Sequence, residues 1–147
     1  MTAIKERTMG RVTISVKIEN AIDRGLVKLG YIVAEKVRAI EVAEALVDTG
    51  AARLCLNKEL IGKLGLTFVE ESLVDTAKGC KKAGRYTDAW VTVMGRSCPA
   101  DVLEIDSKTP ALVGYLILEA LDLAVDPKAR KVTTNPQHNG EMIIDLL

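Results

Sequence analysis

The segment whose residue types could most readily carry out a reaction is residues 45–51. Here an apolar stretch is followed directly by Asp48, Thr49, Gly50 and Ala51. A carboxylate presented in a turn at the end of a strand can act as a general base. Asp, Thr and Gly are also common turn formers, so the same residues fit a carboxylate that only caps its own backbone. The segment therefore has two interpretations, an acid–base site or a simple turn, and the flanking elements must distinguish them.

The numbers and spacing of the histidine and cysteine residues argue against His-dependent catalysis, a zinc site and a disulfide framework. His138 is the one histidine, so a Ser-His-Asp or Cys-His enzyme would have to use it, and no histidine cluster is present for zinc. Cys55, Cys80 and Cys98 have no CxxC spacing. Such cysteines fit free thiols in a reducing compartment better than a disulfide framework. We therefore expect no metal and no cofactor.

The charge balance bears on the partners. The chain of 147 residues has 20 Lys+Arg and 20 Asp+Glu, so 20 − 20 leaves a net charge of 0. A balanced charge provides no electrostatic footprint for nucleic acid or an anionic membrane surface. The longest apolar run is shorter than the ~20 residues of a membrane span, and the first residues have no apolar core of a secretory signal. We expect a cytoplasmic protein with no nucleic-acid or membrane partner.

The elements around Asp48 are predicted to be mainly β. Residues 11–20 alternate strictly, with one apolar face formed by Val12, Ile14, Val16 and Ile18. Residues 21–30 contain Gly25 and Gly30 and are interpreted as a connection. Residues 32–47 are ambiguous, because helix formers alternate with β-branched residues.

Two short helices are predicted in the second part of the chain. Asn57 offers an N-cap for a helix over residues 58–64 that Gly65 ends, and residues 115–121 form the other. Residues 77–84 are predicted to form a polar hairpin loop. Further strands are predicted at residues 54–56, 67–76, 86–94, 99–105, 111–113, 123–126 and 130–133. We expect a single domain over residues 1–147, with its core at about 10–133 and a tail at 134–147.

With these elements in place, the chain resembles the retropepsin-like aspartic proteases. Their active-site loop reads apolar-apolar-Asp-Thr/Ser-Gly-Ala, as do residues 46–51. Further matches follow in order: a strand and short helix before Leu64-Gly65-Leu66, a glycine-containing hairpin at Ala77, Lys78 and Gly79 in place of the flap, and Leu112-Val113-Gly114 before another short helix. The resemblance implies a mainly β, acid-protease barrel subunit with a flap hairpin.

The resemblance also implies a reaction and an assembly. Aspartic proteases add water to a peptide carbonyl with two carboxyl groups about 3 Å apart, which share one proton. The chain has one Asp-Thr-Gly, so Asp48 needs a second copy of the chain, and we expect a homodimer that cleaves peptide or protein substrates. In the family the loop Thr bonds to the partner loop and the Gly helps to hold substrate backbone. The resemblance further implies that residues 37–47 form a strand.

Some positions depart from the family pattern. Tyr115 and Leu116 stand where a polar or basic residue and then Asp or Asn are common, and Ala52 and Leu54 replace polar residues of the loop. Since both groups change together, we interpret them as an exchange of hydrogen bonds for packing. Two alternatives stay open: a non-catalytic dimerisation or peptide-binding module on the same fold, and an unrelated β-domain with a chance Asp-Thr-Gly.

Overall fold

Strands account for most of the regular structure in residues 11–144, the part of the chain that the computed structural model describes. The strands are β1 (Thr13–Asn20), β2 (Ala39–Val47), β3 (Leu54–Asn57), β4 (Thr67–Thr76), β5 (Gly79–Val93), β6 (Arg96–Ile105), β7 (Leu112–Val113), β8 (Leu123–Asp126) and β9 (Lys131–Thr134). The helices are α1 (Ala21–Lys28), α2 (Lys58–Leu64) and α3 (Tyr115–Ala120), with 3₁₀ turns at Ala34–Lys36 and Pro136–His138. The expectation of a mainly β chain is confirmed.

The large sheet is mixed and its edges meet. Its strand order is β1-β2-β7-β3-β6-β5-β4, and β1 also pairs with β5. Six strands therefore pair in a closed ring, and β4 extends outward from β5. The β2–β7 and β3–β6 pairs are parallel, whereas β1–β2, β1–β5, β3–β7, β4–β5 and β5–β6 are antiparallel. A separate two-stranded sheet is formed by β8 and β9.

The apolar core lies inside this ring. The alternation predicted for β1 is confirmed in part, because Val16 and Ile18 are buried while Lys17 between them is exposed. Ile14 is only half-buried, and Glu19 on the opposite face is buried. The largest fully buried side chains are Val16, Ile18, Leu54, Leu56, Leu64, Val91, Val93, Val102, Val113, Leu121 and Asn20. All of these except Asn20 are aliphatic, and their burial is the main favourable term in folding.

The prediction of a connection over residues 21–30 is wrong, and the structure has three α-helices instead of two. Helix α1 begins directly after β1 because the Asn20 Oδ1 accepts a hydrogen bond from the Asp23 N–H at 2.9 Å. The Asp23 carboxylate accepts from both Nε (2.9 Å) and Nη2 (3.0 Å) of Arg38. This tertiary ion pair fixes the first turn and outweighs the helix-weakening effect of Gly25.

The predictions on either side of Asp48 are confirmed. Strand β2 covers Ala39–Val47, so the strand predicted over residues 37–47 is confirmed from Ala39 onward. Helix α2 has the predicted bounds: the Asn57 side chain accepts from the Leu60 N–H at 2.9 Å, and Gly65 ends the helix with φ of +60°. Asn and Gly at these two positions satisfy the unpaired ends of the helix backbone.

The β4–β5 hairpin has a much tighter turn than predicted. Thr76 pairs with Gly79 and Asp75 with Cys80, so Gly79 and the residues after it belong to β5, and only Ala77 and Lys78 form the turn. The Thr76 hydroxyl closes the turn by donating to the Gly79 carbonyl at 2.6 Å. Gly79 has φ of +103°, which explains the glycine at this position. We call residues 71–84 the arm.

Asp122 anchors the chain after β9. Its carboxylate accepts hydrogen bonds from Asn135 Nδ2 at 3.1 Å and from the Ile143 N–H at 3.0 Å, and it lies 2.6 Å from His138 Nδ1. The Ile143 N–H, followed by His138, lowers the pKa of Asp122 to about 2. His138 is half-buried in this cluster, far from the Asp48 segment in sequence.

The apolar tail is held by its backbone and not by its side chains. Met142, Ile143 and Ile144 are 37%, 49% and 68% exposed although the Ile143 N–H is bound. Leu146 and Leu147, which belong to the same predicted tail, lie outside the described residues. The side chains of Met142, Ile143 and Ile144 therefore have exposed apolar surface that another surface could cover.

No helix within residues 11–144 has the length and apolar character needed to cross a bilayer.

Candidate active site

Strand β2 delivers Asp48 into a tight turn. The Asp48 N–H donates to the Val113 carbonyl at 3.0 Å, which continues the pairing of β2 with β7. The Gly50 N–H donates to Asp48 Oδ1 at 2.9 Å, and the Ala51 N–H donates to the Asp48 carbonyl at 3.1 Å. The carboxylate is thus oriented by the backbone of its own turn, while its residue stays partly accessible.

Gly50 leaves little room for a side chain beside the Asp48 carboxylate. A Cβ added at Gly50 would lie 3.1 Å from Asp48 Oδ1, closer than an ordinary van der Waals contact. Thr49, between the two residues, is exposed at the turn. The turn therefore brings the Gly50 backbone close to the Asp48 side chain.

Strand β7 lies between the strands before and after the Asp48 loop. Val113 pairs with Val47 of β2 on one side and with Leu54 of β3 on the other, and Leu112 pairs with Leu46 and Cys55. The predicted apolar-apolar-Gly element thus reaches the loop through the tertiary fold, from more than 60 residues further along the chain.

Gly114 makes a close backbone contact with the loop. A Cβ at this position would lie 2.4 Å from the Ala52 carbonyl carbon and 2.6 Å from the Arg53 nitrogen. The Gly114 N–H donates to the Arg53 carbonyl at 3.1 Å. Any side chain at this position would push the two segments apart.

We expect Gly114→Ala to lower the free energy of unfolding by about 1–3 kcal/mol, the usual cost of overpacking a site that cannot relax. Gly62→Ala is the matched control, because Gly62 lies in α2 with no atom within 4 Å of an added Cβ. There the same change should stabilise the helix by about 0.5–1 kcal/mol. Urea unfolding of both variants measures the difference, and equal stabilities would contradict the close contact.

The first turn of α3 also binds the loop through its backbone. The Tyr115 N–H donates to the Ala51 carbonyl at 2.8 Å, and the Leu116 N–H donates to the Ala52 carbonyl at 3.0 Å. The side chains of Tyr115 and Leu116 are 40% and 42% exposed. The contact of this turn with the loop is therefore made by backbone hydrogen bonds, while the two side chains are less buried than the predicted packing requires.

A cavity of about 630 Å³ lies between the arm and the sheet, and we call it the arm cavity. Its arm side includes Val74 and Lys82, its floor includes Cys55 and Leu103, and its far wall includes Asp106 and Thr109. That wall is a closed loop in which Asp106 Oδ1 accepts from the Thr109 hydroxyl and from two backbone N–H groups, which lower the pKa of Asp106.

The Asp48 charge acts at the floor of the arm cavity. Burial, and secondly the negative charge of Asp48, raises the pKa of the Cys55 thiol to about 11, while the positive charge of Arg53 acts in the opposite sense. Cys55 is therefore a neutral thiol at physiological pH and no nucleophile. Among residues 11–144, no group of three or more His, Cys, Asp and Glu side chains is arranged to hold a metal ion.

The predicted site residues are thus placed in two groups. Asp48, Thr49, Gly50 and Ala51 form one loop, and the Val113 carbonyl accepts the Asp48 N–H. Leu112 and Gly114 contact the residues that flank this loop on either side. Ala77, Lys78 and Gly79 lie at the exposed tip of the arm, where the hydrogen bonds of Thr76 stay within the turn.

The sequence interpretation missed several residues around the site. Cys55 contributes to the cavity floor, and the ion-paired side chains Glu70, Arg85, Asp101 and Arg53 connect the base of the arm to the loop after Asp48. No sequence spacing signals these pairs, because strand register alone brings the residues together.

No protein-family model matches this chain, and no curated protein matches it in sequence. An assignment of function therefore depends on the residues of the loop, the contacts that position them and the cavity beside them.

Proposed function

We propose that this chain is a retropepsin-like aspartic endopeptidase that acts as a homodimer, each subunit supplying one Asp48. The observation that carries the proposal is the turn after β2, in which the Gly50 N–H orients the Asp48 carboxylate beside β7. A turn aspartate with only a local capping role would not require the buried Gly114 contact with the same loop.

The order of the elements supports the family resemblance. The strand before Asp48, the strand and helix after it, the glycine-containing hairpin and the apolar-apolar-Gly element all occur in the expected order. Two of these elements meet at the Asp48 loop although they are distant in sequence. A chance Asp-Thr-Gly in an unrelated β-domain would not account for this convergence.

The chemistry requires two carboxyl groups. In the proposed reaction, one Asp48 carboxylate takes a proton from water as the water attacks the peptide carbonyl carbon, and the protonated partner donates to the carbonyl oxygen. The carboxyl group that took the water proton then gives it to the amide nitrogen, and the C–N bond breaks. A hydroxyl of the tetrahedral intermediate returns its proton to the other carboxylate as the product acid forms. Since one carboxyl group cannot be base and acid at once, a twofold axis beside the loop would supply the second.

The arm and its cavity are the proposed place for the substrate. The cavity floor is close enough to Asp48 for its charge to affect Cys55, and its walls carry both apolar and charged side chains. In this proposal the arm is the counterpart of the family's flap, and Ala77, Lys78 and Gly79 at its tip contact the substrate backbone.

A non-catalytic dimerisation or peptide-binding module is the second candidate. The specific observation in its favour is the exposure of Tyr115 and Leu116 directly beside the loop, where the family commonly has polar residues. Such a module would retain the arm cavity and bind peptides without cleaving them.

Incubation with a random peptide library at acidic and neutral pH distinguishes the two candidates. Cleavage at defined bonds by the purified chain supports the endopeptidase. Peptide binding without cleavage across this pH range supports the binding module instead.

We expect kcat/KM against pH to be bell-shaped, with an optimum on the acid side of neutrality. A carboxyl pair that shares one proton is active only when singly protonated, so the rate falls when the proton is lost and when a second one is added. Initial rates on one cleavable peptide from about pH 4 to 8 span the titration of such a pair. A flat profile over this range would contradict the shared-proton mechanism.

A further inference from the structure

The arm leaves the sheet at a defined point. The pairing of β5 with β6 ends at Arg85, which pairs with Leu103, and beyond this residue β5 pairs with β4 alone. The strand register also shifts close to this point. The β4–β5 pairing shifts between Phe68 and Glu70 on β4, and the β5–β6 pairing shifts between Tyr86 and Ala89 on β5. Residues 71–84 are therefore a two-stranded projection with its base at the Glu70–Arg85 pair.

Arg85 joins this base to the sheet through two separate contacts. Its Nη2 donates to Glu70 Oε1 at 2.7 Å, and its Nη1 donates to Asp101 Oδ2 at 3.2 Å. Glu70 is the cross-strand partner of Arg85 on β4, whereas Asp101 lies on β6. One guanidinium therefore bridges the arm and the body of the molecule.

The Asp101 carboxylate also binds a residue that follows the Asp48 loop. Asp101 Oδ2 also accepts from Arg53 Nη1 at 3.4 Å. Arg53 directly precedes β3, and its carbonyl accepts the Gly114 N–H at the close contact described above. Glu70, Arg85, Asp101 and Arg53 thus form an ion-pair network that runs from the base of the arm to the loop that carries Asp48.

We propose that Arg85 is a positioning residue that sets the angle of the arm over the arm cavity, by tying Glu70 to Asp101 and through Asp101 to Arg53. The inference rests on the proposed function, because the arm angle affects turnover only if substrate binds beneath the arm. Arg85 acts through the arm and does not touch the reacting atoms.

If the network only stabilised the fold, its loss would lower the free energy of unfolding and leave the position of the arm unchanged. Partly exposed ion pairs contribute little to the free energy of unfolding, and Glu70 is 59% exposed. The network joins a two-stranded projection to the sheet at its base, so its loss should change the position of the arm more than the stability of the fold.

The chain contains a native pair of probes for this position. Trp90 is the one tryptophan and lies on the part of β5 that pairs with β1 and β6, with Arg24 over its ring at 5.0 Å. Cys80 is exposed near the arm tip, whereas Cys55 and Cys98 are buried. A fluorescent acceptor attached to Cys80 therefore reports the distance from the sheet to the arm by energy transfer from Trp90.

The experiment compares distance distributions in full-length chains that carry Arg85→Gln, Glu70→Gln or Asp101→Asn. Each labelled chain is mixed with an excess of a chain that carries Trp90→Phe and Cys80→Ser. Most dimers then contain one donor and one acceptor on the same chain, so energy transfer between subunits does not contribute. We expect each variant to broaden and shift the Trp90–Cys80 distribution. Arg85→Lys should have an intermediate effect, because an ammonium lacks the planar fork that reaches two carboxylates. Glu59→Gln is the matched control, since it removes an exposed ion pair with Lys63 on α2.

Kinetics provide a second readout. We expect Arg85→Gln to raise KM about threefold to tenfold while kcat changes less, because the loss falls on substrate binding under the arm. The melting temperature should change by no more than about 4 °C. An unchanged distance distribution in Arg85→Gln and Glu70→Gln would overturn the inference, whatever the activity. A wild-type chain without peptidase activity would overturn the proposed function, and the distance measurement would still decide the role of Arg85.

Discussion

We expect Asp48→Asn to abolish peptide hydrolysis while leaving the fold and the dimer intact. The asparagine side chain has the same shape and keeps an Oδ1 that can accept the Gly50 N–H. In the unmodified chain this N–H donates to Asp48 Oδ1 at 2.9 Å. The amide cannot take a proton from water or share a proton with the partner carboxyl. The loss of general acid–base catalysis alone predicts a rate lower by about 10²- to 10⁴-fold.

Asp126→Asn is the matched control for this variant. Asp126 also caps a turn, since its Oδ1 accepts from the Lys128 and Ala129 N–H groups at 3.1 Å, but it lies in the β8–β9 hairpin. Normal activity in Asp126→Asn together with none in Asp48→Asn separates catalysis from turn capping. Retained turnover in purified Asp48→Asn would remove Asp48 from the mechanism.

The second large effect concerns assembly. We expect activity per chain to rise with protein concentration and to depend on two intact copies of Asp48. Mixing wild-type chains with a ninefold excess of Asp48→Asn chains should lower the activity per wild-type chain to about one tenth, because random exchange places most wild-type chains in mixed dimers. Sedimentation on the same samples gives the dimer fraction. An active monomer, or no effect of mixing, would refute the single-motif argument.

The apolar tail is expected to contribute to this dimer. Its described side chains are exposed although Asp122 fixes the Ile143 backbone, so they do not fold back into the core of their own subunit. Deleting residues 141–147 should weaken the dimer by at least about tenfold in Kd, since even 1.4 kcal/mol of lost apolar burial has this effect.

A matched pair of single substitutions tests the role of the tail in the dimer without removing any residues. Ile144→Ser should weaken the dimer, whereas Leu29→Ser, at an apolar residue of similar exposure in the loop after α1, should not. If the deletion and Ile144→Ser both leave the dimer unchanged, only the role of the tail is wrong, and the requirement for two Asp48 residues stands.

Local signals predicted the elements next to the candidate site. Asn57 and Gly65 set both ends of α2, because capping depends on residues within one turn of the helix end. The alternation in β1 predicted the burial of Val16 and Ile18, because a strand that is buried on one face has a period of two, but it did not predict the burial of Glu19 on the other face. The position of Asp48 at the end of an apolar strand was also predictable, once the ambiguous propensity of residues 37–47 was resolved by the family resemblance.

The errors lie where distant residues act on local structure. Helix α1 was missed because Gly25 weakens it locally, while Asp23 is held by Arg38 from the far side of the following loop. The arm was predicted with a long loop because Gly79 to Gly84 are polar and glycine-rich, yet cross-strand pairing with β4 extends β5 through them.

The sequence by itself determined the candidate residues of the site: the apolar strand that ends in Asp48, the small residues that follow it, and the apolar-apolar-Gly element. These depend on residue type and short spacing, which are properties of the chain. Only the tertiary structure decided that β7 lies between β2 and β3, that Gly114 contacts the Ala52 backbone, and that Arg85 links the arm to Asp101. The physical reason is that strand register and close packing depend on residues tens of positions apart, and their energies exist only once the sheet has formed.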